Sequence, residues 1–204
     1  MPLRNITYLL ICVILQMSCS VNKFVPEGEY LLNDVKIIST TNHENAVKAK
    51  GYVRQMPNAK LFNLVKLPLY TYSLSGHDTA QWRNKVLRRL GEAPVIFDSA
   101  MSEKSRQNIR DMLVNDGYFH ATVDFECLKN DKRKRADAVY YLHERERYYI
   151  ASIDYDMKDE VVGAIVLADT ASSLLRPGMP FSGDNMEFER RRIAEMLRNR
   201  GYYR

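Results

Sequence analysis

Two stretches of this chain, 84 residues apart, are copies of each other. Arg106 to Phe119 reads RQNIRDMLVNDGYF, and Arg190 to Tyr203 reads RRRIAEMLRNRGYY. Seven of fourteen positions are identical: Arg106/Arg190, Ile109/Ile193, Met112/Met196, Leu113/Leu197, Asn115/Asn199, Gly117/Gly201 and Tyr118/Tyr202. The same shift puts Phe97 on Phe181. A fixed internal period means one supersecondary unit used twice, so whatever the first copy folds into, the second must fit as well. Ile109, Met112 and Leu113 stand at i, i+3, i+4 and line one face of a helix. Gly117 can take the left-handed conformation that ends it.

The strand pattern starts directly after the stop. His120 to Leu128 (HATVDFECL) alternates, with Val123, Phe125 and Cys127 on one face and Thr122, Asp124 and Glu126 on the other. That is a half-buried antiparallel strand. Lys129 to Arg135 is a charged turn, and Ala136 to Arg145 a return strand with Ala138, Tyr140 and Leu142 on one face. Upstream, Tyr30 to Ser39 reads as a strand, His43 to Gln55 as a helix ended by Pro57, and Asp78 to Arg89 as a helix stopped at Gly91. Residues 30–149 therefore form one strand–helix–helix–strand–strand unit, enlarged by an insertion near 58–90. Leu61, Phe62, Leu64, Val65, Leu67, Leu69 and Tyr70 in that insertion have no clean period; they are either a packed excursion or an exposed contact surface. Residues 150–204 begin a second unit: a strand over Ile150 to Met157, a helix over Glu160 to Leu175, then the repeated helix from Glu187 to Arg200 with an Asp184 cap. No closing hairpin follows, so the sequence reads as a fragment or an interrupted frame. The fold class expected is α+β, two tandem units with the second incomplete.

Residues 1–18 read as an export signal. Arg4 is the positive start and Ile6 to Leu15 a short apolar run. A bilayer-spanning helix needs about 20 apolar residues, so the run suits a signal better than an anchor. Ser18-Cys19 follows, the small-residue–Cys step that a lipoprotein signal peptidase cuts. Cys19 is the lipid-acceptor candidate; the alternative is ordinary cleavage nearby with Cys19 left as a thiol. Residues 19–29 form a linker. Cys12 leaves with the signal; if Cys19 carries lipid, Cys127 has no partner for a disulfide, and its strand pattern reads it as a small buried hydrophobe.

Composition adds exclusions. Net charge is +5 and dispersed, which does not argue for nucleic acid. None of His43, His77, His120 and His143 has metal-ligand spacing, and neither a nucleophile elbow nor a phosphate-binding Gly loop occurs. Ser73, Ser75, His77 and Asp78 lie close in sequence, which a polar turn explains. Lys132 to Arg135 and Arg190 to Arg192 read as solvated charge runs, with anionic headgroups as the lesser alternative. No catalytic, cofactor or metal residue is assigned.

A repeated βααββ unit whose helix ends in Gly-Tyr-aromatic, following an export signal, resembles the POTRA domain. The carrying residues are Leu113 to Val123 and Met196 to Tyr203, preceded by Pro94 to Phe97 and Gly178 to Phe181. Such domains form the periplasmic arm of BamA/TamA-like outer-membrane assembly proteins. Lys23 to Val35, Leu74-Ser75-Gly76 and Gly91 to Pro94 resemble the lipoprotein-like members of Bacteroidetes. The resemblance implies a place at the outer membrane, on the periplasmic side of the cell envelope. It implies binding of nascent outer-membrane proteins and envelope assembly partners, with membrane attachment through lipid or a barrel that this sequence does not contain. In such a sheet the strand after Gly-Tyr lies at an edge, here Ala121, Thr122, Val123, Asp124, Phe125, Glu126, Cys127 and Leu128. An edge strand offers backbone groups to an extended client, unless a neighbouring unit covers it. The other function class is a stand-alone envelope adaptor or scaffold without a barrel.

Overall fold

The structure is a computed structural model that describes residues 21–62 and 64–203. The first strand, β1, is Leu31–Ser39, and α1 is His43–Ala49. A 3-10 turn at Lys50–Tyr52 takes over from α1, so the helix ends sooner than its pattern predicts. Gly51 is the physical reason: it pays backbone entropy in a helix and has no side chain to hold the next turn. Two helices follow within the insertion, α2 at Leu67–Ser73 and α3 at Trp82–Leu90. Then come α4 at Ser99–Asn115, β2 at Thr122–Asn130 and β3 at Arg135–His143. The last described elements are α5, Glu160–Ala168, and α6, Gly183–Asn199. The architecture is α+β, with the strand–helix–helix–strand–strand order read from the sequence and two extra helices between its first and last helix.

The sheet order is β1-β3-β2. β2 and β3 are joined by the turn at Asp131–Arg133, closed by Lys134 in the left-handed region at φ 44°. β1 runs parallel to β3: the Leu31 N–H donates to the Lys134 carbonyl at 2.9 Å, and Asn33 Nδ2 donates to Asp137 at 2.7 Å. β3 is thus central, and its residues Ala136, Ala138, Val139, Tyr140 and Leu142 are all buried. The Tyr140 hydroxyl, buried, donates to the Ser102 carbonyl of α4 at 3.3 Å.

The chain divides into two compact units that interleave along the sequence. One holds the chain up to Ile38, Val53–Arg106 and Asp124–Tyr141; the other holds Ser39–Tyr52, Gln107–Val123 and Leu142 onward. In the first, Val21 and Val25 are buried with Leu31 and Leu69, so the stretch expected as a linker joins the core. In the second, Glu144 is fully buried and accepts from Ser39 Oγ and from Asn45 Nδ2 at 3.5 Å.

The repeat is real in three dimensions. α4 ends with Tyr118 N–H donating to the Leu113 carbonyl at 2.9 Å and Gly117 N–H to the Val114 carbonyl at 3.0 Å, with Gly117 at φ 91°. α6 ends identically: Tyr202 to Leu197 at 3.1 Å, Gly201 to Arg198 at 2.9 Å, and Gly201 at φ 92°. Both are Schellman closures. The segments before the helices repeat too. Phe97 N–H meets the Tyr30 carbonyl and Leu32 N–H the Val95 carbonyl, each at 2.8 Å. In the second copy Phe181 meets Tyr148 at 2.9 Å and Ile150 meets Met179 at 2.8 Å.

Two expectations change. Ile150 to Met157 is not a strand; the bridge of Tyr149 with Pro180 lies just before it. A strand exists only by its ladder, and among the described residues this segment has no strand beside it. The α6 cap is Ser182, whose side chain accepts from Asn185 N–H at 3.4 Å. Asp184 lies inside the first turn and accepts from Asn115 Nδ2 at 3.0 Å.

Candidate partner-binding edge

β2 is an edge strand of the described sheet, as the order β1-β3-β2 requires. Along it Ala121 and Val123 are buried, Phe125 and Cys127 half-buried, and Thr122, Asp124, Glu126 and Leu128 exposed. The alternation read from the sequence is therefore the alternation of the strand. Phe125 packs against Phe97 at 6.4 Å and Tyr140 at 5.2 Å between ring centroids. These contacts hold Asp124 to Leu128 to the first compact unit, while Ala121 to Val123 belongs to the second. Glu126 accepts from the Tyr141 hydroxyl at 3.0 Å, and that bond holds the phenol above its ordinary range. Burial pushes the Cys127 thiol up, against a smaller opposing effect of Lys129. A raised thiol is a poor nucleophile, which fits a packing role for Cys127.

The opposite edge is treated differently. Three devices cover the start of β1, as far as Asp34. The segment Val95 to Phe97 pairs with Tyr30 to Leu32 around a bridge between Leu31 and Ile96. Lys66 reaches from the insertion and donates to the carbonyls of Asn33 at 2.6 Å and Leu32 at 3.5 Å. Lys60 pairs with Asp34 at 3.3 Å. Natural sheets blunt edges in these ways, with charged side chains and covering loops. The insertion itself is held by Asn58, fully buried, which accepts from Val95 N–H at 3.0 Å and donates to the Ala93 carbonyl at 2.7 Å. Neither Asn58 nor Lys66 carries a sequence signal for this role; their partners lie more than thirty residues away.

The Gly-Tyr-aromatic motif makes a second cluster, inside the second compact unit. A Cβ on Gly117 would lie 2.9 Å from the Phe181 carbonyl oxygen. Phe119 meets Phe181 at 4.9 Å and Tyr148 at 5.1 Å. Tyr148 N–H donates to the Gly117 carbonyl at 2.9 Å. The motif is thus a seat for the chain segments that open the second copy, which the helix-ending reading of Gly117 did not reveal.

Cys19 and the signal lie outside the described residues. The polar cluster after α2 is divided among separate tasks. Ser73 donates to the Leu69 carbonyl at 2.8 Å, Ser75 accepts from Arg88 Nε at 3.3 Å, Asp78 accepts from Ala80 N–H at 2.8 Å, and His77 packs on Phe24 at 5.0 Å. The arginines of α6 are paired and not simply solvated. Arg190 and Arg191 hold Glu187 at 2.7 and 2.8 Å, and Arg192 holds Asp169 and the buried Glu189. These guanidinium bonds pull the Glu187 carboxyl down to about 2. Among the described residues no three His, Cys, Asp or Glu side chains group in a way that could hold a metal.

No family model matches this sequence, and no curated protein matches it. Among solved structures, the chain is similar to Haemophilus influenzae BamA POTRA3-5, at 10% identity and a TM-score of 0.33, over 88% of this chain and 89% of that one.

Proposed function

We propose that this chain is the periplasmic part of an outer-membrane protein assembly or translocation factor, and that β2 is its client strip. On this reading unfolded β-barrel precursors, or assembly partners, add to the edge as an extra strand. Residues 30–149 are then one POTRA-like unit and 150–204 the start of another, brought to the outer membrane by the export signal and held there by lipid on Cys19. The observation that carries the proposal is the asymmetry of the sheet: the start of β1 is covered by Val95 to Phe97 and by Lys66, and among the described residues of the first unit no comparable cover is built over Phe125 to Leu128. Backbone pairing is nearly independent of sequence, which suits a factor with many clients.

The test is site-specific photocrosslinking in the native envelope. A crosslinking residue at Glu126 or Leu128 should capture outer-membrane precursors, and one at Asp34 on the covered part of β1 should not. Equal capture from all three positions, or none from β2, would end the client-strip reading.

A further inference from the structure

Leu61, Phe62, Leu64 and Val65 belong to a closed tip. The Leu61 N–H donates to the Val65 carbonyl at 2.7 Å, and the Val65 and Leu64 N–H groups return to the Leu61 carbonyl at 3.3 and 3.1 Å. Phe62 sits at φ 51°, a conformation that bulky side chains rarely adopt. Phe62 is 85% exposed and Leu64 83% exposed. An apolar pair displayed at the cost of backbone strain is not what core packing requires; strain of this kind gathers at functional sites. Exposure here answers the choice left by the sequence: Leu69 packs, while Leu61, Phe62, Leu64 and Val65 face outward.

Behind the tip lies a cavity of about 450 Å³. Leu64, Val65 and Tyr70 give it apolar wall, and Lys60, Lys66 and Arg135 give it charge. Arg135 Nε is buried with no hydrogen-bond partner among the described residues. The acidic groups nearby are Asp34, paired with Lys60, and Asp137, paired with Asn33. The Lys66 amine is lowered to about 8, by burial first and then by Lys60 and Arg135, which outweigh the opposing pull of Asp34 and Asp137. The pocket lining is therefore net positive.

We propose that this tip and pocket dock the chain on an anionic lipid surface. Phe62 and Leu64 enter the boundary between headgroups and acyl chains, and Lys60, Lys66 and Arg135 take a lipid phosphate at the pocket. Apolar tips flanked by cations are how interfacial segments bind, with long basic side chains reaching up to the headgroups. A protein partner fits less well, because Lys is depleted at protein–protein interfaces and two lysines bracket this tip. α3 adds an exposed stripe of Trp82, Val86 and Leu90, one turn apart, on a helix that also carries Arg83, Lys85 and Arg89.

The experiment places an environment-sensitive fluorophore at residue 64 through Leu64→Cys, with the three native cysteines replaced, in the full chain. Leu64 is exposed, so the label does not disturb the core. Vesicles of phosphatidylglycerol and phosphatidylethanolamine are compared with vesicles of phosphatidylcholine; any binding through residues 1–18 is common to both. The label should transfer into the anionic vesicles at a lipid concentration lower by on the order of tenfold, given roughly fivefold per cation at an anionic surface and partial neutralisation here. Lys60→Gln with Arg135→Gln should erase that preference, and Phe62→Ser should weaken transfer to both vesicles. Equal transfer to both compositions overturns the proposal. So does a response to inorganic phosphate alone, which would make the pocket a free-anion site. No transfer to either, with a crosslinker at 64 capturing a protein instead, overturns it in favour of a protein partner.

Discussion

Single residues carry distinct weights in this chain, and the repeat isolates them. Gly117 and Gly201 share a left-handed φ, but only Gly117 is crowded: a Cβ there meets the Phe181 backbone, and one on Gly201 meets nothing within 4 Å. Gly201→Ala should cost about 1 kcal/mol, the strain of an L-residue in that region. Gly117→Ala should cost at least about twice that, since backbone must also move. Urea midpoints of the two variants, measured side by side, check the ratio. Asn58→Ala leaves the Ala93 carbonyl and Val95 N–H unpaired, and should cost about 3 kcal/mol on the same scale. Lys66 sets a pH dependence. Its folded amine titrates at about 8. Its unfolded amine titrates near ~10.4. Between those values the unfolded state binds more protons, so this group makes stability rise with pH across that window and contributes no slope at lower pH. In Lys66→Met the rise should vanish, as read from denaturation midpoints at pH 7 and pH 10. A Lys66→Met profile with the same slope as wild type would contradict the burial of the amine.

At the scale of elements, the helix–Gly-Tyr–strand unit was legible because each step is local. The period of Ile109, Met112 and Leu113, the stop at Gly117 and the alternation of β2 depend on neighbours within a few residues, and the structure keeps all three. The insertion was less legible, because its bonds follow no helical or strand period. The polar Asn84 side chain is the buried one on α3, because it accepts from Gly76 N–H at 2.7 Å and donates to the Asp78 carbonyl at 2.7 Å. Trp82, Val86 and Leu90 on that helix are exposed. Hydrogen exchange tests the reading of the sheet. Amides of β3 should be the slowest, Leu32 should exchange slowly through its bond to Val95, and outward-facing amides of Glu126 to Asn130 should be fast. Uniform protection across β2 would mean that the edge is covered.

At the scale of the whole molecule, address and attachment belong to the proposal for the envelope. Cys19→Ser should abolish incorporation of radiolabelled palmitate and shift the chain to the soluble periplasmic fraction; a labelled Cys19→Ser variant would refute lipidation there. Any residual membrane association of that variant that depends on Phe62 and Arg135 would belong to the insertion tip. By itself the sequence determined the unit, its tandem use and its helix stops, since periodicity and glycine conformations are properties of short stretches of backbone. It also determined which strand follows the motif. Only the tertiary structure decided which edge of the sheet is covered and which is left open. That choice depends on Lys66 and Val95 crossing to β1 from the insertion and the segment beyond it, and on Arg135 meeting Lys60 behind an apolar tip. Such contacts join residues from 33 to 75 positions apart, and no local pattern encodes which side chain of a long insertion will reach which carbonyl.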